Sequence, residues 1–110
     1  MEQTLESIDF SKSNGLVPVI VQDANSKDVL TLAYSNKESL ELTMKTGKSW
    51  FWSRTHKKLW MKGEESGNTQ KVVKILSDCD SDAIIYLVEP KGAPCHTGQN
   101  TCFHNVVKTQ

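Results

Sequence analysis

Two apolar, β-branched runs separated by a polar turn restrict the fold more than any other feature of the chain. Leu16 to Gln22 reads LVPVIVQ and Val29 to Tyr34 reads VLTLAY, with Ala24-Asn25-Ser26-Lys27-Asp28 between them. β-branched side chains favour a pleated backbone, and two such runs joined by a few turn residues predict a hairpin. Pro18 has no amide to donate, which places it at a strand start or on a sheet edge. Ser35-Asn36-Lys37-Glu38 matches the S-x-x-E capping box. Leu40, Thr43 and Met44 follow at helical spacing, and Gly47 stands where a helix would stop. Ser49 to Arg54 reads as an aromatic strand, Thr55 to Lys58 as a turn, and Leu59 to Lys62 as a short return strand. Gly63 to Asn68 is loop chemistry, and Val72 to Leu76 and Ala83 to Val88 are two further strands. Beyond Pro90, Gly92, Pro94 and Gly98 deny regular structure. The predicted fold is α+β: one strand-rich domain over 1–110 with one main helix, and with no role assigned to residues 1–14.

Composition narrows the function classes. A chain of 110 residues is normally one domain. Lys+Arg and Asp+Glu balance at 13 each, which argues against bulk nucleic-acid binding, since that needs a basic face. No apolar run is long enough to span a bilayer, so no membrane partner is expected. Met1 to Glu6 is acidic and lacks the apolar stretch of a signal peptide. The expected compartment is the cytoplasm, where thiols stay reduced, and an odd count of three cysteines fits poorly with a disulfide framework.

The chemistry is concentrated in the last third. Asp78-Cys79-Asp80-Ser81-Asp82 alternates carboxylates with other side chains, and Cys95 and Cys102 follow in the spacing C-x15-C-x6-C. On an extended strand, alternate residues face one way, so the three carboxylates would share a face and Cys79 would point to the other. Like charges on one face call for a hard divalent cation. Asp78 to Glu89 also nearly fits the calcium-loop formula, although Ala83 replaces its glycine and Pro90 would block the exiting helix. A solvated acidic turn is the plain structural alternative. Three thiolates with one open tetrahedral position suit a catalytic zinc, whereas structural zinc sites close with a fourth protein ligand. A lone cysteine is more often a small buried hydrophobe, which is the plain reading of Cys79 alone. His96 follows Cys95 and is read as a proton-transfer group, with a zinc ligand or an ordinary loop histidine as alternatives.

The segment from Ser49 to Gly67, SWFWSRTHKKLWMKGEESG, mixes aromatics with Arg54, Lys57, Lys58 and Lys62 beside a glycine-bounded loop containing Ser66. Loop amides aided by Arg or Lys suit phosphate oxygens, and Trp60 could stack on a purine. Against this, Trp50, Trp52 and Trp60 also read as partly core, and a charged strand face is usually just solvated.

Read together, these stretches resemble phosphoribosyl-AMP cyclohydrolases, enzymes of histidine biosynthesis. The resemblance is carried by Gly15 to Asp23, Val29 to Asn36, Ser53-Arg54-Thr55, Leu59-Trp60-Met61-Lys62-Gly63-Glu64, Ser66-Gly67-Asn68, Asp78 to Asp82 and Cys95 to Phe103. It implies magnesium at Asp78, Asp80 and Asp82, and zinc at Cys79, Cys95 and Cys102. It further implies substrate contacts from Arg54, Trp60, Lys62, Glu64, Ser66 and Gly67, and an intertwined homodimer whose zinc sites take thiolates from both subunits. The implied reaction is hydrolytic opening of the adenine ring of phosphoribosyl-AMP between N1 and C6, with His96 moving protons. Many members carry a fused pyrophosphohydrolase domain, so a chain ending at Gln110 reads as monofunctional or as a fragment. Glu65, His56, Thr31 and Ser35 depart from the family pattern without touching an implied metal ligand. Two other classes stay in play. A structural zinc module clamping a dimer would close its site with His96, and a base deaminase would need the H-x-E and C-x-x-C that this chain lacks.

Overall fold

The structure, a computed structural model, describes residues 5–92 and 98–109. After a short 3-10 turn at Leu5–Ser7 come β1 (Val17–Asp23), β2 (Val29–Ser35), α1 (Lys37–Thr46), β3 (Trp50–Ser53), β4 (Lys58–Met61), β5 (Gln70–Ser77) and β6 (Ile84–Pro90). The predicted α+β class, with one main helix in a strand-rich domain, is what forms. Four strands make one sheet in the order β2-β1-β6-β5, and β3 and β4 pair separately. The predicted hairpin is β1–β2, antiparallel from Val17 opposite Ser35 to Gln22 opposite Val29. β1 then pairs in parallel with β6, far along the chain, with Val19 opposite Ile84. β5 returns antiparallel to β6.

One face of this sheet is the core. Val17, Val19 and Val21 alternate inward on β1, and Ile84, Tyr86 and Val88 do so on β6. Because Val19 lies opposite Ile84 and Val21 opposite Tyr86, the two inward rows stand side by side. Leu30, Leu40 and Phe51 complete the buried cluster from β2, α1 and β3. Pro18 therefore lies near the start of an interior strand, not on an edge. The parallel register begins only at Val19, so the missing Pro18 amide breaks no ladder bond on the β6 side.

The helix starts one residue later than the S-x-x-E pattern predicts. Asn36 is the N-cap: its side chain accepts from the Ser39 amide, and Ser39 Oγ accepts from the Asn36 amide. Ser35 is unavailable for capping because it closes β2 and is fully buried. Its hydroxyl lies 3.0 Å from the Tyr86 hydroxyl and donates to Trp50 O at 3.3 Å. Thr43 Oγ1 also reaches the Tyr86 hydroxyl, at 3.2 Å, so one polar knot ties β2, α1, β3 and β6. Gly47 ends the helix in the left-handed region, as expected. Leu40 and Thr43 are buried as their spacing predicts, whereas Met44 points outward and is half exposed.

Candidate active site

The Asp78–Asp82 segment is a turn between β5 and β6, which corrects the expected extended strand. The Asp78 amide donates to Ala83 O and the Ser81 amide to Asp78 O. The Asp78 carboxylate accepts from the amides of Asp82 and Ala83 at 3.0 and 3.3 Å. A side chain that satisfies two amides a few residues on bends the chain back, and Ser81 takes a positive φ to close it. The carboxylates still converge, by this curl instead of by alternation: one oxygen from each of Asp78, Asp80 and Asp82 lies within 4.8 Å of the other two. Neither flank is helical, so the near-match to a calcium loop belongs to a β-hairpin. Cys79 is exposed in the same turn.

The N-terminal segment, assigned no role from sequence, reaches this turn. The Asp9 amide donates to Ser81 O at 2.7 Å. Leu5, Ile8 and Phe10 pack against the core. Lys12 Nζ then lies 3.1 Å from Asp80 Oδ2 and 3.0 Å from Asp82 Oδ2. Its bonds to Asp82 and Asp80 push the ammonium pKa well above the usual lysine value. No local pattern in the sequence marks Lys12, because its partners stand 68 and 70 positions away.

The aromatic and basic segment forms the β3–β4 hairpin. Ser53, Thr55, His56, Lys58 and Trp60 line an open cleft of about 330 Å³. Trp60 is half-buried and packs against Phe51 with ring centroids 4.9 Å apart. It therefore packs on the core and lines the cleft at once. Arg54 lies outside the cleft lining, its guanidinium 3.8 Å over the Tyr34 ring. Cleft residues Ser53, Thr55, His56 and Lys58 were not among the predicted substrate contacts. The polar run Ser53-Arg54-Thr55-His56-Lys57-Lys58 beside Trp60 is the sequence signal for this cleft.

Lys62, Glu64, Ser66 and Gly67 occupy the turn between β4 and β5, with Glu64, Ser66 and Gly67 exposed. The Gly67 amide donates to Gly63 O at 2.8 Å, and Ser66 Oγ accepts from the Asn68 amide at 3.2 Å. This turn abuts the end of β6, where the Lys91 amide donates to Thr69 O. Residues 93–97 follow there in sequence. Cys95 and His96 fall among them and lie outside the described residues.

The predicted site residues thus divide between the two ends of the sheet. At one end β1 and β6 begin and β2 and β5 finish, with Val17 opposite Ser35 and Ser77 opposite Ile84. The aspartate turn, Cys79 and Lys12 are there. At the other end Gln22 faces Val29 and Gln70 faces Pro90. The 62–69 turn is there, and so is Cys102, whose amide donates to Leu30 O at 2.7 Å. Thr101 Oγ1 holds the same segment to Val29 O.

Comparison with known proteins gives a consistent result. A family model described as phosphoribosyl-AMP cyclohydrolase matches residues 31–104. A phosphoribosyl-AMP cyclohydrolase of Nitrosopumilus maritimus is 72% identical over 98% of this chain and 100% of its own length. One from Cenarchaeum symbiosum is 70% identical over 96% of this chain and 97% of its own. A histidine biosynthesis bifunctional protein HisIE of Thermus thermophilus is 54% identical over 94% of this chain, which aligns with 48% of that longer protein.

Proposed function

From the premise that the chain belongs to the phosphoribosyl-AMP cyclohydrolase family, we propose that it opens the adenine ring of phosphoribosyl-AMP as a zinc- and magnesium-dependent homodimer. It is a cyclohydrolase enzyme of histidine biosynthesis acting on a nucleotide.

The observation that carries this reading is the division of the implied ligands between the sheet ends. Cys79 sits in the aspartate turn and Cys102 on the far side of β2, separated by strand spacings amounting to about 15 Å. Zinc–thiolate bonds of about 2.3 Å cannot span that gap within one chain. Two copies that place the Cys79 end of one beside the Cys102 end of the other would complete two equivalent sites, as twofold symmetry requires. The donor chemistry fits the metals: thiolates for zinc, and three gathered carboxylates for magnesium. Zinc at an open site supplies an activated water at neutral pH.

The rest falls to the chain's own side chains. Water oxygen bonds to C6 and the C6–N1 bond breaks; one water proton passes to N1 and the other to the exocyclic 6-imino nitrogen, leaving a carboxamide. His96, next to Cys95 in sequence, moves these protons. Trp60 offers its cleft face to the purine, and Arg54 and Lys62 with the Ser66-Gly67 turn engage phosphate, while Glu64 orients the substrate. Among the described residues no helix is long and apolar enough to cross a membrane.

The test is turnover of phosphoribosyl-AMP, followed by absorbance as the ring opens, before and after chelation. Loss of activity with chelator and its return with zinc is the expected result. A folded, zinc-loaded protein without turnover would instead support a zinc module that only holds two chains together.

A further inference from the structure

We propose that Lys12 is a tethered counter-cation for Asp80 and Asp82, one that a divalent ion must displace to bind there, so that ion binding loosens the 9–13 turn. The inference deepens the magnesium assignment made above and rests on it.

Lys12 Nζ contacts one oxygen of each carboxylate, at 3.1 and 3.0 Å. Asp78 already commits Oδ1 to two backbone amides. Half of the six carboxylate oxygens in the turn are thus engaged, and Lys12 holds both of those on Asp80 and Asp82. Magnesium binds oxygen at about 2.0–2.1 Å in strict octahedral geometry. A carboxylate oxygen directed at an ammonium is not also directed at such an ion, and a second positive charge a few ångströms away repels it. The two cations therefore compete.

The tether makes this competition local. The Asp9 amide is bonded to Ser81 O, and the following turn closes through the Gly15 amide on Phe10 O and the Leu16 amide on Ser13 O. Asp9 Oδ1 also accepts from the Ser11 amide at 2.9 Å. Leu5, Ile8 and Phe10 anchor the segment in the core. When the ion leaves, the ammonium is at hand at high effective concentration and returns. About half of the Lys12 side chain is exposed, 52%, so it swings into water without crossing packed groups. Residues 5–16 thereby offset part of the acidic turn's charge without metal and set how tightly it takes one.

The experiment titrates manganese(II), as a probe for the hard-ion site, into zinc-loaded protein and counts free ion by electron paramagnetic resonance. Lys12→Gln should bind roughly two- to fivefold more tightly than the parent, the range for an exposed ion pair that no longer has to be broken. Lys12→Arg should match the parent, and the gap should narrow as salt rises. Manganese should also speed amide hydrogen exchange in residues 9–13 of the parent. Equal or weaker binding by Lys12→Gln, or unchanged exchange in 9–13, overturns the proposal. The double variant Asp80→Asn, Asp82→Asn separates the two readings. If it binds manganese less well than the parent, the carboxylates are the ion site and only the role of Lys12 is in question. If it binds as the parent does, the magnesium assignment falls as well.

Discussion

Cys79 and Cys102 are free, exposed thiols at opposite ends of the four-stranded sheet: one in the β5–β6 turn, the other bonded through its amide to Leu30 O beside β2. If zinc joins them, it joins two chains. Cys79→Ser and Cys102→Ser homodimers should each be inactive. Unfolding and refolding the two variants together in equal amounts should restore about one quarter of parent activity. Half the dimers would then be mixed, and each mixed dimer would hold one intact site of two. Were both thiols drawn from one chain, no mixture would regain activity. Turnover per zinc in the mixed sample decides between these cases.

The Tyr86 hydroxyl links four elements from inside the core. It donates to Trp50 O at 3.2 Å and meets Ser35 Oγ and Thr43 Oγ1. Tyr86→Phe should destabilise the fold by about 1–2 kcal/mol at neutral pH, because the partner hydroxyls lose a bond in a buried place. Burial pushes the Tyr86 pKa up. With the folded value above an unfolded value near 10, the phenol's contribution is fully present below about pH 10 and lost as pH rises through the folded value. The gap between parent and Tyr86→Phe should therefore close in alkaline solution. Urea midpoints measured from neutral pH upward would show it, and a gap that stays constant would mean that the hydroxyl is not held as described.

The turn carrying Glu64, Ser66 and Gly67 depends on Gly63. Its φ is +85°, and a Cβ there would meet Asn68 O and Thr69 N at 2.5 Å. Those neighbours are backbone atoms and cannot rotate away. Gly63→Ala should cost about 2–4 kcal/mol, combining left-handed strain with a displaced turn. The substrate KM should rise with it. Gly67→Ala provides the comparison: its φ is also positive, but nothing lies within 4 Å of a Cβ there. Its stability loss should be the smaller of the two in chemical denaturation.

Local chemistry was legible in the sequence, and long-range pairing was not. The β1–β2 hairpin, the helix stop at Gly47 and the gathering of three aspartates each depend on residues close together in the chain. The capping residue moved from Ser35 to Asn36 because Tyr86, fifty-one positions away, claims the Ser35 hydroxyl. The aspartates converge through a turn closed by Asp78 itself, whereas their alternation in sequence points to a strand face. The parallel β1–β6 pairing and the Lys12 contacts leave no periodic or motif signal. They arise from which apolar faces pack together.

Arg54 rests on the Tyr34 ring at 3.8 Å and is exposed. A guanidinium stacked on an aromatic face keeps its donor edges free for an anion. Arg54→Ala should leave folding stability nearly unchanged, since an exposed stacked cation contributes little. It should nevertheless lower kcat/KM roughly tenfold to a hundredfold, mostly through KM, as removal of a charge-assisted phosphate contact does. Arg54→Lys should recover only part of that loss, because an ammonium offers neither the paired donors nor the same stacking. Tyr34→Leu should raise KM by a smaller factor, since it removes the platform and leaves the charge. Steady-state kinetics of the three variants beside their thermal midpoints would test this. A kcat loss with unchanged KM would place Arg54 at the reacting ring instead of the phosphate.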